Sequence, residues 1–119
     1  IKVAKPVWHL VRFKVNSGTG IKPQAEIQLK NKGKISTGVS SGDGPVDACF
    51  KAIDKVINSK ARLEDFRLEA VTSGKDALGK ASLKLRVKDI VRTGNGSSTD
   101  IIEAAIKAYL DAINKIESQ

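Results

Sequence analysis

Apolar and polar positions along this chain alternate in short runs, switch to helical spacing, and then repeat the whole plan once. Residues 7–15, Val-Trp-His-Leu-Val-Arg-Phe-Lys-Val, mix β-branched, aromatic and charged side chains as a half-buried strand does. The glycine-rich stretch 17–22 breaks that strand, and Pro23 starts the next element. Ala25, Ile27 and Leu29 alternate with Glu26, Gln28 and Lys30, which predicts a second strand with one wet face. Asn31-Lys32-Gly33-Lys34 has the composition of a hairpin turn, with glycine available for a positive φ, and 35–40 returns as a third strand. Gly42-Asp43-Gly44 ends it, and Pro45 stands at the first helical position, where proline is accepted. Val46, Cys49, Phe50, Ile53, Val56 and Ile57 then follow at helical spacing as far as Asn58.

The second half predicts the same elements: a strand over 63–72, a turn at Gly74-Lys75-Asp76, and a strand from Leu78 or Gly79 to Val87. A short third strand over 90–93 is expected to end at a second turn, Gly94-Asn95-Gly96. Ser97 or Ser98 would cap the second helix, with Asp100 in its first turn facing the positive end of the dipole. Ile102, Ala105, Ile106, Tyr109, Ile113 and Ile116 form one stripe of that helix; Ile101, Ala104, Ala108 and Ala112 form a second stripe of mostly small residues. So wide an apolar arc predicts more than one neighbour, a second subunit among the candidates. Residues 16–29 align without a gap on 72–85, and extended backward Leu10, Val15, Ser17 and Gly18 fall on Phe66, Val71, Ser73 and Gly74. The expected fold is α+β, a pseudo-twofold repeat of two βββα units (about 7–58 and 63–117) with helices packed on antiparallel sheet. Residues 1–119 are expected to form a single domain.

Composition narrows the function more by exclusion than by assignment. The net charge of +8 is spread along the chain, with Lys84 and Arg86 set between Leu83, Leu85 and Val87 as on a wet strand face. With five aromatics and no clustered basic run, a nucleic-acid surface is not expected. No methionine occurs, so Ile1 is not a translation start; a processed chain or a piece of a longer protein is expected. One cysteine, Cys49, allows no internal disulfide and fits a reducing compartment, and no apolar run approaches a membrane span, so a cytoplasmic location is expected. His9 is the sole histidine, the acids are scattered without metal-ligand spacing, and no nucleophile motif is present, so no catalytic site and no metal or cofactor are expected in this chain.

The candidate chemistry lies at the two Gly-x-Gly turns that open helices. A helix N-terminus offers free N–H groups and a positive dipole end, suited to a carboxylate or phosphate. Asp47 and Asp100 stand beside the two turns. Each has a structural role available as a first-turn dipole partner; together with carboxylate-binding N–H groups they could also hold the ammonium of a free amino acid. Val46, Leu63, Phe66 and Ala70 would then line a side-chain pocket.

Three ordered segments, Gly42-Asp43-Gly44-Pro45-Val46-Asp47-Ala48, the run 70–79 and the run 99–114, carry a resemblance. Over about 8–116 the chain resembles the C-terminal regulatory domain of 2-isopropylmalate synthases, shared with some citramalate synthases. The resemblance implies a βββα repeat that follows a TIM-barrel catalytic domain and binds the end product at a homodimer interface, leucine in the first case and isoleucine in the second. The divalent metal and acetyl-CoA chemistry would belong to the parent. Carried over by position, the effector site would comprise Gly42, Gly44, Val46, Asp47, Leu63, Phe66, Ala70, Lys75, Ala77, Gly79, Ser98 and Asp100. Tyrosine is common in the family where Phe66 stands, and the segment 94–98 departs in residue choice and spacing. The second-helix segment is closer to the isopropylmalate version, which favours leucine. A ligand-free dimerisation module would share this fold.

Overall fold

The computed structural model describes residues 7–71 and 78–117. Its elements are β1 (His9–Gly18), β2 (Ile21–Asn31), β3 (Lys34–Ser41), α1 (Pro45–Ile57), β4 (Arg62–Ala70), β5 (Gly79–Val87), β6 (Ile90–Ser98) and α2 (Ile101–Glu117). The order is βββα twice, an α+β repeat. Residues 8–60 form one compact unit; Val7 and the described residues from 61 onward form the other. Each unit is a three-stranded antiparallel sheet in sequence order, with its own helix against the central strand and the strand that follows it.

In the first unit, alternation along β2 sends Ala25, Ile27 and Leu29 into a fully buried layer, while Glu26 and Gln28 stay half-buried on the opposite face. Over that layer α1 buries Ala48, Cys49, Phe50, Ala52 and Ile53. The β2–β3 hairpin closes through Lys32 and Gly33, both left-handed at φ 53° and 81°, the turn whose twist matches the flanking strands. At the other end of α1, Asn58 adopts the left-handed cap conformation, and the Ser59 N–H reaches back to the Asp54 carbonyl at 3.1 Å. In the second unit Ala81, Leu83 and Leu85 form the matching buried layer, and α2 covers it with Ala104, Ala105, Ile106, Ala108 and Tyr109 among its buried residues. Val7 is tied to this unit through its N–H, which donates to Asn114 Oδ1 at 3.0 Å.

Two sequence expectations are corrected. Gly94-Asn95-Gly96 is not a turn: β6 runs on to Ser98, and Gly94 pairs with Leu83 in the middle of the ladder. The glycine is there because α2 lies almost against the strand. A Cβ on Gly94 would run into the Ala108 carbonyl oxygen and come within 2.7 Å of the Ala112 nitrogen. Its counterpart in the first unit is Gly38, opposite Ile27, where a Cβ would strike the Ala52 carbonyl oxygen. The second correction concerns the first strand of each unit. Leu10 and Phe13 pair with Leu29 and Ile27, and Leu63 and Phe66 pair with Leu85 and Leu83, with a bulge after Leu10 and another after Leu63. The counterpart of Phe66 is therefore Phe13, not Leu10. The second hairpin is three residues longer (83 − 66 = 17 against 27 − 13 = 14), which the ungapped alignment concealed.

Candidate functional site

The start of α1 is held by glycines for two separate reasons. The Gly42 N–H donates to the Pro23 carbonyl at 3.1 Å, and a Cβ there would lie 2.8 Å from the Ala48 Cα, so only glycine lets the chain turn this tightly into the helix. Gly44 is the N-cap, since the Ala48 N–H reaches back to its carbonyl at 2.9 Å. Its φ of −154° is one any residue adopts, and nothing lies within 4 Å of where its Cβ would be. Glycine here simply leaves the cap position without a side chain. Pro45 occupies the first helical position, and no side-chain cap closes this end.

Asp47, in the first turn, folds back on its own loop. Its Oδ2 accepts the Asp43 N–H at 2.9 Å and pairs with Lys51 Nζ at 3.0 Å. The Asp43 N–H, with help from Lys51, holds the Asp47 carboxyl below its ordinary range against the opposing effect of burial, and Asp47 in turn raises the Lys51 ammonium.

The start of α2 is built differently, so the expected equivalence of the two helix starts does not hold. Asp100 is not in the first turn but at the N-cap, where its carbonyl receives the Ala104 N–H at 2.9 Å. Its Oδ1 accepts the N–H groups of Ile102 at 2.8 Å and Glu103 at 3.4 Å. Ser98 Oγ accepts the Asp100 N–H at 3.1 Å and donates to Glu103 Oε1 at 3.0 Å, and Lys107 pairs with Glu103 at 3.2 Å. Glu103, not Asp100, is the counterpart of Asp47: both acids are three residues past the cap and pair with a lysine four residues on. The expected cap, Ser97 or Ser98, gives way to Asp100, with Ser98 in support. One helix start is thus closed by its own carboxylate and the other is open.

Leu63, Phe66 and Ala70 share the side of β4 that carries the buried residues of β5, because they pair with Leu85, Leu83 and Gly79. Since α2 packs on β5 and β6, this row is left uncovered, and Leu63 is 41% exposed. Leu68, also 41% exposed and paired with Ala81, belongs to the same row and was missed from sequence. Simple alternation from Phe66 to Ala70, unbroken by the bulge after Leu63, passes through it. Leu68, Ala70, Leu78, Gly79 and Ile101 together with Glu69 surround a cavity of about 210 Å³, smaller than the ~300–1,000 Å³ of drug-sized sites. Gly79 keeps this cavity's wall close, since a Cβ would sit 2.9 Å from Ile101 Cγ2. Gly42, Gly44, Val46 and Asp47 therefore cluster at the start of α1 in one unit. In the other unit Ala70 and Gly79 meet in the cavity, Ser98 and Asp100 form the α2 cap, and Leu63 and Phe66 continue the β4 row. Lys75 and Ala77 lie outside the described residues. Among the described residues no group of three or more His, Cys, Asp or Glu side chains is placed to hold a metal ion, and no helix is long and apolar enough to cross a membrane.

The family model described as the LeuA allosteric (dimerisation) domain matches residues 2–117. A 2-isopropylmalate synthase of Ruminiclostridium cellulolyticum is 42% identical over 107 residues, 90% of this chain and 21% of its own length. One from Nitrosospira multiformis is 40% identical over 112 residues, 94% of this chain and 22% of its own. A third, from Dictyoglomus turgidum, is 44% identical over 117 residues, 98% of this chain and 23% of its own. The chain thus spans between a fifth and a quarter of the length of these relatives.

Proposed function

The chain belongs to the LeuA allosteric (dimerisation) domain family, and on that premise we propose that it is the leucine-sensing regulatory domain of a 2-isopropylmalate synthase. The parent would be a cytoplasmic acetyl-CoA-dependent transferase, with metal and acetyl-CoA held by its catalytic domain, and this domain would act as a homodimer. The observation that carries the ligand is the contrast between the two helix starts. Where Asp100 closes α2 with a carboxylate, α1 has no side chain in that role. The carboxylate of a free amino acid is the group that fits there, and Asp43 and Asp47 lie within the same turn for its ammonium. The likeness to 2-isopropylmalate synthases favours leucine over isoleucine. Feedback inhibition then requires only that leucine bind one arrangement of the parent better than another.

Isothermal titration of the chain with leucine, with isoleucine, valine and lysine in parallel, tests this reading. Saturable binding with leucine preferred is expected, and a preference for isoleucine would move the parent to citramalate synthesis. Gly44→Asp supplies the missing cap in open space, so the fold should persist while leucine binding drops at least tenfold, about 1.4 kcal/mol. Absence of heat with every amino acid from the folded chain would leave a ligand-free dimerisation module; unchanged leucine affinity in Gly44→Asp would move the carboxylate site elsewhere.

A further inference from the structure

Among the described residues four strands are sheet edges, β1, β3, β4 and β6. Three are guarded by positive charge alone: Arg12 and Lys14 on β1, Lys34 on β3 and Arg92 on β6. Such charges discourage edge-to-edge pairing. β4 differs. In a chain of net charge +8 it carries both signs, in the order Arg62, Glu64, Asp65, Arg67, Glu69.

We propose that the β4 edge is a self-pairing surface on which a second copy of this chain docks antiparallel, joining two sheets into one across a twofold axis at Phe66. With Phe66 opposite the partner's Phe66, Asp65 stands opposite the partner's Arg67 and Arg67 opposite the partner's Asp65. Beyond that, the bulge at Glu64 lets residues 63 and 64 together face one partner residue, as they do in the existing β4–β5 ladder. Leu63 then meets the partner's Leu68 on the apolar side, and Arg62 meets the partner's Glu69 on the polar side. Every pair matches in face, and every charged pair is of opposite sign. Without the bulge the outer half of the strand would be out of phase, so the irregularity is what makes the strand complementary to itself.

Asp65 and Arg67 lie 3.5 Å apart with side chains 43% and 79% exposed, and Asp65 Oδ1 accepts the Phe66 N–H at 3.0 Å; pairing would exchange these contacts within the strand for contacts across the axis. Pairing would also shelter Leu63 and Leu68, which α2 leaves open. β1 of a second copy is a poorer match, because its consecutive Arg12 and Lys14 set against the alternating signs of β4 always place one cation on an arginine. The inference rests on reading the chain as a dimerisation domain and says which strand makes the contact.

Sedimentation equilibrium of the 119-residue chain, with far-UV circular dichroism to verify folding, tests it through Asp65→Arg, Arg67→Asp, the double swap, and an equimolar mixture of the two single variants. Each single variant opposes like charges at two symmetric positions and should dimerise roughly thirtyfold more weakly, about 2 kcal/mol at 1.4 kcal/mol per tenfold. The double swap and the mixture should both recover wild-type association. In the mixture the pair within each strand is broken, so recovery can come only from contacts between chains. Single variants that dimerise like the wild type, or a mixture that does not recover, would overturn the β4 contact while leaving a dimer through another face. A wild-type chain that stays monomeric would remove the dimer reading itself.

Discussion

Gly94→Ala separates a strand glycine that admits a helix from a turn glycine that admits a bend. The backbone of Gly94 is not left-handed, so alanine meets no conformational penalty there. All of the cost is steric. The new methyl would overlap the Ala108 carbonyl oxygen and lie 2.7 Å from the Ala112 nitrogen and 2.8 Å from the Ala112 Cβ. Ordinary carbon contacts are about 3.5–4.0 Å, and two of these three obstacles are backbone atoms that cannot rotate away. The helix must lift by about 1 Å, loosening its packing on the buried Leu83 and Leu85. Overpacking of this kind costs about 1–3 kcal/mol, and the backbone obstacles place this site at the upper end. At roughly 4–8 °C per kcal/mol for a domain of up to about 100 residues, the melting temperature should fall by about 10 °C or more. A turn glycine without positive φ would behave oppositely, gaining about 0.4–1 kcal/mol on change to alanine. Thermal unfolding followed by circular dichroism decides, with Gly44→Ala as the control, because nothing lies within 4 Å of its Cβ. A Gly94→Ala protein melting with or above the wild type would refute the packing argument.

Asp100→Ala removes the α2 cap and strands the Ile102 and Glu103 N–H groups; a loss of about 1 kcal/mol in urea unfolding is expected, and no loss would mean that water caps the helix equally well. Asp47 should titrate below the ordinary aspartate value because the Asp43 N–H and Lys51 favour its charged form. Its contribution to stability is complete above the pKa of the unfolded chain and is lost as pH falls through the lower folded value. A carboxyl-detected NMR midpoint at or above about 3.9 would contradict the hydrogen-bond geometry.

Much of the fold was legible because the two periods are clean: Ala25, Ile27 and Leu29 alternate, Ala48 to Ile53 follow helical spacing, and Pro45 marks the first helical residue. What was misread shares a physical cause, namely that one letter can serve two purposes. Glycine permits a turn at Gly42 and a close helix approach at Gly94, and the difference lies in the position of the Ala108 carbonyl, distant in sequence. Aspartate before a helix can be a first-turn partner or a cap, and because α2 starts two or three residues later than a Ser97 or Ser98 cap would place it, Asp100 becomes the cap. The alignment of the halves failed at the first strand because similar Ser-Gly pairs occur in hairpins of different length, and only the ladder partners of Phe13 and Phe66 reveal the shift. Of the candidate site, the α1 turn and the β4 row were visible in the chain. Leu68 was legible as well, by alternation between Phe66 and Ala70, whereas Leu78 is placed by a wall that Ile101 completes.

The divergence between the halves bears directly on how such a repeat could sense a ligand. A helix start with glycine at the cap in place of aspartate forgoes about a few tenths of a kcal/mol, and α2 shows that this framework accommodates an internal carboxylate at that position. The open start of α1 is therefore not imposed by the fold; Gly44 has space for a side chain and a backbone that would accept one. Under the proposed function, the stabilisation that Asp100 gives α2 permanently is given to α1 only when an amino-acid carboxylate is present, and it grows with ligand concentration as RT ln(1 + [L]/Kd). A second open start would make the folded state depend on ligand in both halves. With α2 closed by its own residues, this reading confines the ligand-dependent stabilisation to one helix start per chain. Under that reading one half of the repeat gains stability only with ligand, while the other carries the equivalent stabilisation in its own Asp100.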